Sequence, residues 1–198
     1  MSTKKKPAAT RRAEILQAAR RLLLEEGARA LTLRGVAQAV GLKLASVQYY
    51  FPTHAELITA LVNDRLLEQQ RDLAQLQSET RGSAMKTLDA VLRWYTIASA
   101  QSVEEGRLDI QFWALAEIDP TAKQALGAYH GLYVTFLADL IQQAVGVTRH
   151  QATTRAVAIA SLLEGSILFV DLSDPSAPGH HRFRDIYKAT RLIACGAP

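Results

Sequence analysis

Sulfur chemistry is almost absent from this chain. Cys195 is its single cysteine, which excludes an intramolecular disulfide and any zinc site built from several thiolates of one chain. Long apolar runs are missing too: VAIASLL at 157–163 is broken by Ser161 and stopped by Glu164, far short of the roughly 18 residues that cross a bilayer. The opening MSTKKKPAATRRAEI is basic, but no continuous apolar segment follows its lysines, as a signal peptide would require. A cytoplasmic protein with no membrane partner is expected. Alternating strand patterns, fixed-period repeats and low-complexity tracts are also lacking. So are H-E-x-x-H, G-x-S-x-G, P-loop and glycine-rich dinucleotide motifs, so an enzyme would have to use an unmarked site. His180 and His181 are adjacent and point to different sides of a helix, with no carboxylate at ligand spacing. No metal and no cofactor are expected.

What is present is an ordinary globular composition, 48% apolar and 21% charged, with its charge unevenly placed. Residues 1–54 hold 10 Lys and Arg against 3 Asp and Glu, whereas residues 55–198 hold 13 against 16. A positive module on a mildly acidic body is the electrostatic footprint of a protein that binds a phosphate backbone.

The basic module contains the most informative stretch, TLRGVAQAVGLKLASVQYYFPTHAEL, Thr32 to Leu57. Its spacing predicts a short helix over 33–40 with Val36, Ala37 and Val40 inward, and a second over 44–50 with Val47 and Tyr50 inward. Ala37 is small enough for a steep helix crossing, and Gly41 can take the positive φ of the turn. Leu42 then enters the core at the corner. This is the layout of a helix-turn-helix, and the outer face of its second helix carries Lys43, Ala45, Ser46, Gln48 and Tyr49. Seven helical residues span about 10 Å, and a major groove about 12 Å wide admits them.

Around this pair, Ile15, Ala18, Ala19, Leu22 and Leu23 recur at helical spacing, predicting a first helix over about 9–26 that Gly27 stops. Thr53 and Glu56 form a T-x-x-E capping box that starts a long connecting helix reaching about Gln77. Beyond SETRGSA at 78–84, helices are expected at 84–104, 107–117, 121–145, 149–172 and 181–194. Their punctuation is Gly82, Gly106, Asp119-Pro120, Gly146 and SDPSAPG at 173–179. The expected class is all-α: a three-helix helix-turn-helix domain joined by a long helix to a helical C-terminal domain. The expected divisions are a disordered basic arm over 1–8, a DNA-binding domain over 9–54 and a second domain over 55–198.

An amphipathic first helix, then T-x-R-x-V-A-x-x-V-G, then S-V-Q-Y-Y-F, then a capped long helix, resembles the DNA-binding domain of the tetracycline-repressor (TetR) family of bacterial transcription regulators. The likeness covers about residues 10–60. It implies a homodimer on a palindromic operator in double-stranded DNA, with the third helix in the major groove and a small-molecule effector in the C-terminal domain. The DNA-binding residues so implied are Thr32, Arg34, Lys43, Leu44, Ala45, Ser46, Gln48, Tyr49, Tyr50 and His54. Lys43, Ala45, Gln48 and His54 depart from the family's usual residues, which leaves the operator sequence open. Glutamine at 48 can bond adenine bidentately.

In the C-terminal region, Trp94, Tyr95, Gln111, Trp113, Tyr133 and Glu164 are candidates for an apolar pocket with a few polar anchors. Packing of these aromatics as plain core is the commoner use of such residues. Because the family's last two helices usually pair with their mates, Ala156, Ala160, Leu163, Ile167, Phe183, Ile186 and Tyr187 are candidates for the dimer interface. The same faces could instead complete the core of one chain. A ligand-responsive repressor is the expected function. The competing readings are a non-regulatory DNA-binding protein, such as a nucleoid or recombination factor, and a helical enzyme with an unmarked site.

Overall fold

The computed structural model describes residues 7–96, 100–171 and 179–196; for 100–103, 168–171 and 179–183 it describes the helical backbone alone. Most of the expected arm, the Phe183 side chain and most of the 173–179 loop therefore lie outside the described residues. Within them the chain forms nine α-helices and no strand. These are α1 Ala8–Glu26, α2 Leu33–Ala39, α3 Leu44–Tyr50, α4 His54–Glu79, α5 Ala84–Thr96, α6 Ala100–Ala116, α7 Pro120–Val145, α8 Arg149–Asp171 and α9 Gly179–Cys195. No described helix is long and apolar enough to cross a membrane.

The chain divides into two compact units. One takes the described residues up to Leu66 together with Gln111–Gly127, and the other takes Leu67–Ile110 with the described residues from Ala128 onward. In the first unit, α1 buries Ile15, Leu16, Ala18, Ala19, Leu22 and Leu23, the stripe expected from its periodicity. Val36 and Ala37 of α2, Val47 of α3, and Leu57, Ile58, Leu61 and Val62 of α4 are buried as well. Each fully buried Leu, Ile or Val contributes about 1.5–3 kcal/mol relative to exposure. Phe112, Leu115, Ala116, Ala122 and Leu126, from the α6–α7 corner, are also buried in this unit.

The second unit is built around Leu88, Val91 and Leu92 of α5, Leu137, Ala138 and Ile141 of α7, and Ala152, Ala156, Ile159 and Leu163 of α8. Helix α9 closes it. Arg155 Nη1 donates to the Ala194 carbonyl (2.8 Å). The Tyr187 hydroxyl donates to Asp89, which also accepts from Arg93 Nε (2.9 Å), and the Arg93 guanidinium lies 4.5 Å over the Tyr187 ring. Burial pushes the Asp89 carboxyl upward, but the hydrogen bonds from Arg93 and Tyr187 outweigh it and hold the group below its ordinary range.

One expected helix boundary is misplaced. Gly106 lies inside α6, and α5 ends at Thr96. A Cβ on Gly106 would stand 3.0 Å from Ile167 Cγ2, so this glycine permits close packing of α8 rather than ending a helix. Gly35, which falls in the short helix expected over 33–40, has a similar packing role. A Cβ there would lie 2.7 Å from the Ala30 carbonyl oxygen and 3.2 Å from Leu22 Cδ2. Alanine at 35 would gain up to about 1 kcal/mol of helix propensity but meet backbone that cannot rotate away, an overpacking cost of about 1–3 kcal/mol. Gly35→Ala is expected to lower the urea midpoint without changing the slope; a midpoint at or above that of the parent would show that the 28–30 turn yields freely.

Candidate functional site: an exposed recognition helix and a buried aromatic cluster

The corner between α2 and α3 is made by backbone. Gly41 sits at φ +68°, its N–H donates to the Gln38 carbonyl (3.1 Å), and the Leu42 N–H reaches back to the Ala37 carbonyl (2.9 Å). Thr32 caps α2 by accepting from the Gly35 N–H (2.9 Å). The Thr32 oxygen thus accepts at a helix end, a use compatible with a DNA contact because the hydroxyl still has its O–H to donate. Lys43 occupies the corresponding place before α3 and supplies no side-chain cap. Losing a Ser, Thr, Asn or Asp cap costs about 1 kcal/mol, and the lysine leaves a cation at the start of the helix.

Along α3 only Val47 is fully buried. Lys43, Ala45, Gln48 and Tyr49 are exposed, Leu44, Ser46 and Tyr50 are half-buried, and Arg34 on α2 is exposed. Tyr49 is 79% exposed although its ring meets Tyr50 edge-on at 5.1 Å. A large aromatic left in solvent beside a half-buried one gives up burial energy for which the fold supplies no compensation. Phe51 is fully buried with the Arg12 guanidinium 4.7 Å over its ring. Together with Tyr50 and α4 these residues line a cleft of about 310 Å³. The helix is thus anchored by one face, with its polar face outward.

The start of α4 is fixed by the capping box: the Glu56 N–H donates to Thr53 Oγ1 (3.1 Å). His54, expected among the DNA contacts, also makes contacts inside the first unit. Its Nε2–H donates to the Leu31 carbonyl (2.6 Å), and its Nδ1 lies 3.5 Å from Asp119 Oδ2. The other carboxylate oxygen of Asp119 accepts from the Thr121 N–H (2.8 Å) and the Ala122 N–H (3.1 Å), capping α7. His54 therefore joins α4, the segment leading into α2 and the α6–α7 corner, all within the first unit. Nothing in its local sequence signals a partner 65 positions away.

In the second unit, Trp94 and Tyr95 meet edge-on at 4.6 Å and Tyr95 meets Tyr133 at 5.0 Å. Gln69, itself buried, donates to the Tyr95 hydroxyl (2.7 Å). Tyr133 is 6% exposed. The Tyr95 hydroxyl is near enough to favour the Tyr133 phenolate slightly but makes no hydrogen bond of good geometry with Tyr133 Oη, which is buried without a partner. Burial, then the negative charge of Glu164 with Tyr129 and Asp109 behind it, holds the Tyr133 phenol well above its ordinary range, so it stays protonated. His130 Nδ1 is 3.9 Å from Glu164 Oε1, and burial, partly opposed by Asp109, lowers its pKa.

Four of the six pocket candidates, Trp94, Tyr95, Tyr133 and Glu164, thus fall in this unit. Gln111 and Trp113 belong to the other, where Gln111 Oε1 is 3.5 Å from the place a Cβ on Gly27 would take and Trp113 is 44% exposed. Gln69 and Asp109 were missed, because a single amide or carboxylate in a polar helix carries no sequence signal. Of the interface candidates, Ala156, Ala160 and Leu163 are buried within the single chain, so as drawn from the sequence they offer a partner little surface. Ile167, Ile186 and Tyr187 are half-buried. Among the described residues, the large apolar side chains left exposed on α8 and α9 are Val157 and Leu192.

Residues 15–61 match the model of bacterial regulatory proteins of the tetR family. No curated protein matches the chain in sequence. Among solved structures, a TetR-family transcriptional regulator from Agrobacterium tumefaciens is similar at TM-score 0.75 and 18% identity, covering 91% of this chain and 97% of that one. A TetR transcription regulator from Haloarcula marismortui gives 0.76 at 16%, covering 94% and 97%. A transcriptional regulator from Saccharomonospora viridis in complex with choline gives 0.74 at 17%, covering 92% and 96%. The matched model spans α2, α3 and the capped start of α4, and the similar structures extend over nearly the whole helical chain. The chain therefore matches the tetR family's model over its N-terminal domain, residues 15–61, and shares its fold over nearly its whole length with solved transcriptional regulators.

Proposed function

We propose that the protein is a ligand-responsive repressor that acts as a homodimer on a palindromic operator. The observation that carries this reading is the outward polar face of α3, with Lys43, Gln48 and the solvent-exposed Tyr49, on the basic part of the chain. Residues 9–54 read DNA, joined by any contacts the 1–8 arm makes, and residues 55–198 take the ligand and the partner subunit. Lys43, Arg34 and Tyr49 meet phosphates, contacts that position without specifying, while Gln48, Ser46 and Ala45 meet base edges. His54 acts chiefly through Leu31 and Asp119, holding α2 in place. The dimer forms on α8 and α9, with Val157 and Leu192 joining Ile167, Ile186 and Tyr187 at the contact.

Helix α4 contributes residues to both units, so a ligand that prefers one setting of α4 changes the affinity for DNA by the difference in its own affinity for the two settings. The choline in the Saccharomonospora viridis regulator supports a small molecule as that ligand. The exposed α3 face favours this reading over a helical enzyme.

Three outcomes follow. A gel shift with DNA from upstream of the protein's own gene should show a sequence-specific complex at moderate salt, and its absence with folded protein would overturn the reading. Gln48→Ala should relax preference at one base position per half-site, a loss of about 1–3 kcal/mol for the favoured base, whereas a uniform loss over all sequences would mark a backbone contact. Sedimentation should give a particle of twice the 21.7 kDa chain mass, and a stable monomer at micromolar concentration would contradict the dimer.

A further inference from the structure

Both ring nitrogens of His54 face oxygen acceptors. Nε2 lies 2.6 Å from the Leu31 carbonyl oxygen, and Nδ1 lies 3.5 Å from Asp119 Oδ2. A neutral imidazole carries one proton, so whichever nitrogen holds it, the other turns a lone pair toward an oxygen. Only the imidazolium, a donor at both nitrogens, matches the two acceptors, and its charge strengthens the bond to Leu31. Leu31 immediately precedes Thr32, whose side chain caps α2, while the other oxygen of Asp119 caps α7. Among the described residues, Asp119 is the carboxylate that pairs with this ring. Glu56, on the same turn of α4, accepts from Thr53 instead. Of the other charged side chains on these elements, Arg29, Arg34 and Lys123 oppose a charge on the ring and Glu117 favours it, but none forms a hydrogen bond or ion pair with it.

We propose that Asp119, acting through His54, is a positioning residue for DNA reading, and that proton uptake by this pair tightens the hold on α2. With the ring neutral and its proton on Nε2, the Nδ1 lone pair and the carboxylate repel, so the ring turns off the Leu31 carbonyl or Asp119 draws away. Either movement loosens the start of α2, which packs across α3 and so helps to fix where Lys43, Gln48 and Tyr49 stand. The contribution is present on the acid side of the range in which histidines titrate and is lost as pH rises through it. The two side chains are 38% and 23% exposed, so solvent screens the pair and the effect on affinity is about two- to fivefold. This assignment rests on the reading of α3 as the DNA-reading helix and adds the pair that tunes it.

The test measures operator affinity of the full chain at fixed salt at about pH 6 and about pH 8, for the parent, His54→Gln and Asp119→Asn. Glutamine can still donate to Leu31 but takes up no proton. Asparagine keeps an oxygen to cap α7 and can offer its amide N–H to a neutral Nδ1. The parent should gain about two- to fivefold in affinity at the lower pH beyond what His54→Gln gains. Asp119→Asn should melt close to the parent and lose or reverse that gain; it decides the matter alone if His54→Gln does not fold. The same pH dependence in all three proteins would overturn the proposal, and so would a loss of affinity in the variants that is equal at both pH values, the mark of a merely structural contact. Failure of every protein to form an operator complex would overturn the regulator reading and this proposal with it, whereas a complex whose pH dependence the variants leave untouched overturns this proposal alone.

Discussion

The crossing of α2 and α3 is the constraint on which the DNA-reading part of the structure depends. Two helices of seven residues each are too short to be stable alone, so they persist by burying Val36, Ala37 and Val47 together with the stripe of α1. The turn between them must reverse direction in a few residues while keeping its backbone paired. Gly41 at positive φ and the bond from Leu42 to Ala37 accomplish this. With one face of α3 so committed, the other is left in solvent, and its polar side chains are presented in a fixed register.

A second set of contacts holds that crossing in place. His54, at the first turn of α4, is bonded to the carbonyl just before the Thr32 cap and lies beside Asp119, which caps α7. The unit around the recognition helix therefore includes 111–127 and is not complete with the N-terminal helices alone. Deeper in the sequence, the chain places polar groups inside an aromatic core: Gln69 on the Tyr95 hydroxyl, and the buried Tyr133 hydroxyl, which makes no hydrogen bond of good geometry among the described residues.

Much of the fold was legible because its signals are local. The α1 stripe, the Thr53 capping box, the turn at Gly41 and the buried Val47 each follow from residue types at fixed spacing, although Tyr50, expected inward beside Val47, is only half-buried; the helices of the remainder follow from periodicity. The misplaced break at Gly106 shows where this fails: a glycine that ends a helix and one that admits Ile167 from a distant helix are identical in sequence. The same limit explains Gly35 beneath Ala30 and His54 against Leu31 and Asp119. Those roles are set by tertiary neighbours. The interface candidates on α8 show it again, since Ala156, Ala160 and Leu163 lie on an apolar face that one chain buries by itself.

The central claim is that α3 lies in the major groove of a two-fold site. Affinity cleavage tests it most directly, with a chelated iron tethered to a cysteine at position 45 of α3, introduced as Ala45→Cys with Cys195→Ser. Cleavage of bound operator DNA should fall in two short clusters related by the two-fold axis, with half-site centres about 34–36 Å or a multiple apart. A complex that forms with full affinity and is left uncut near the operator would contradict the account.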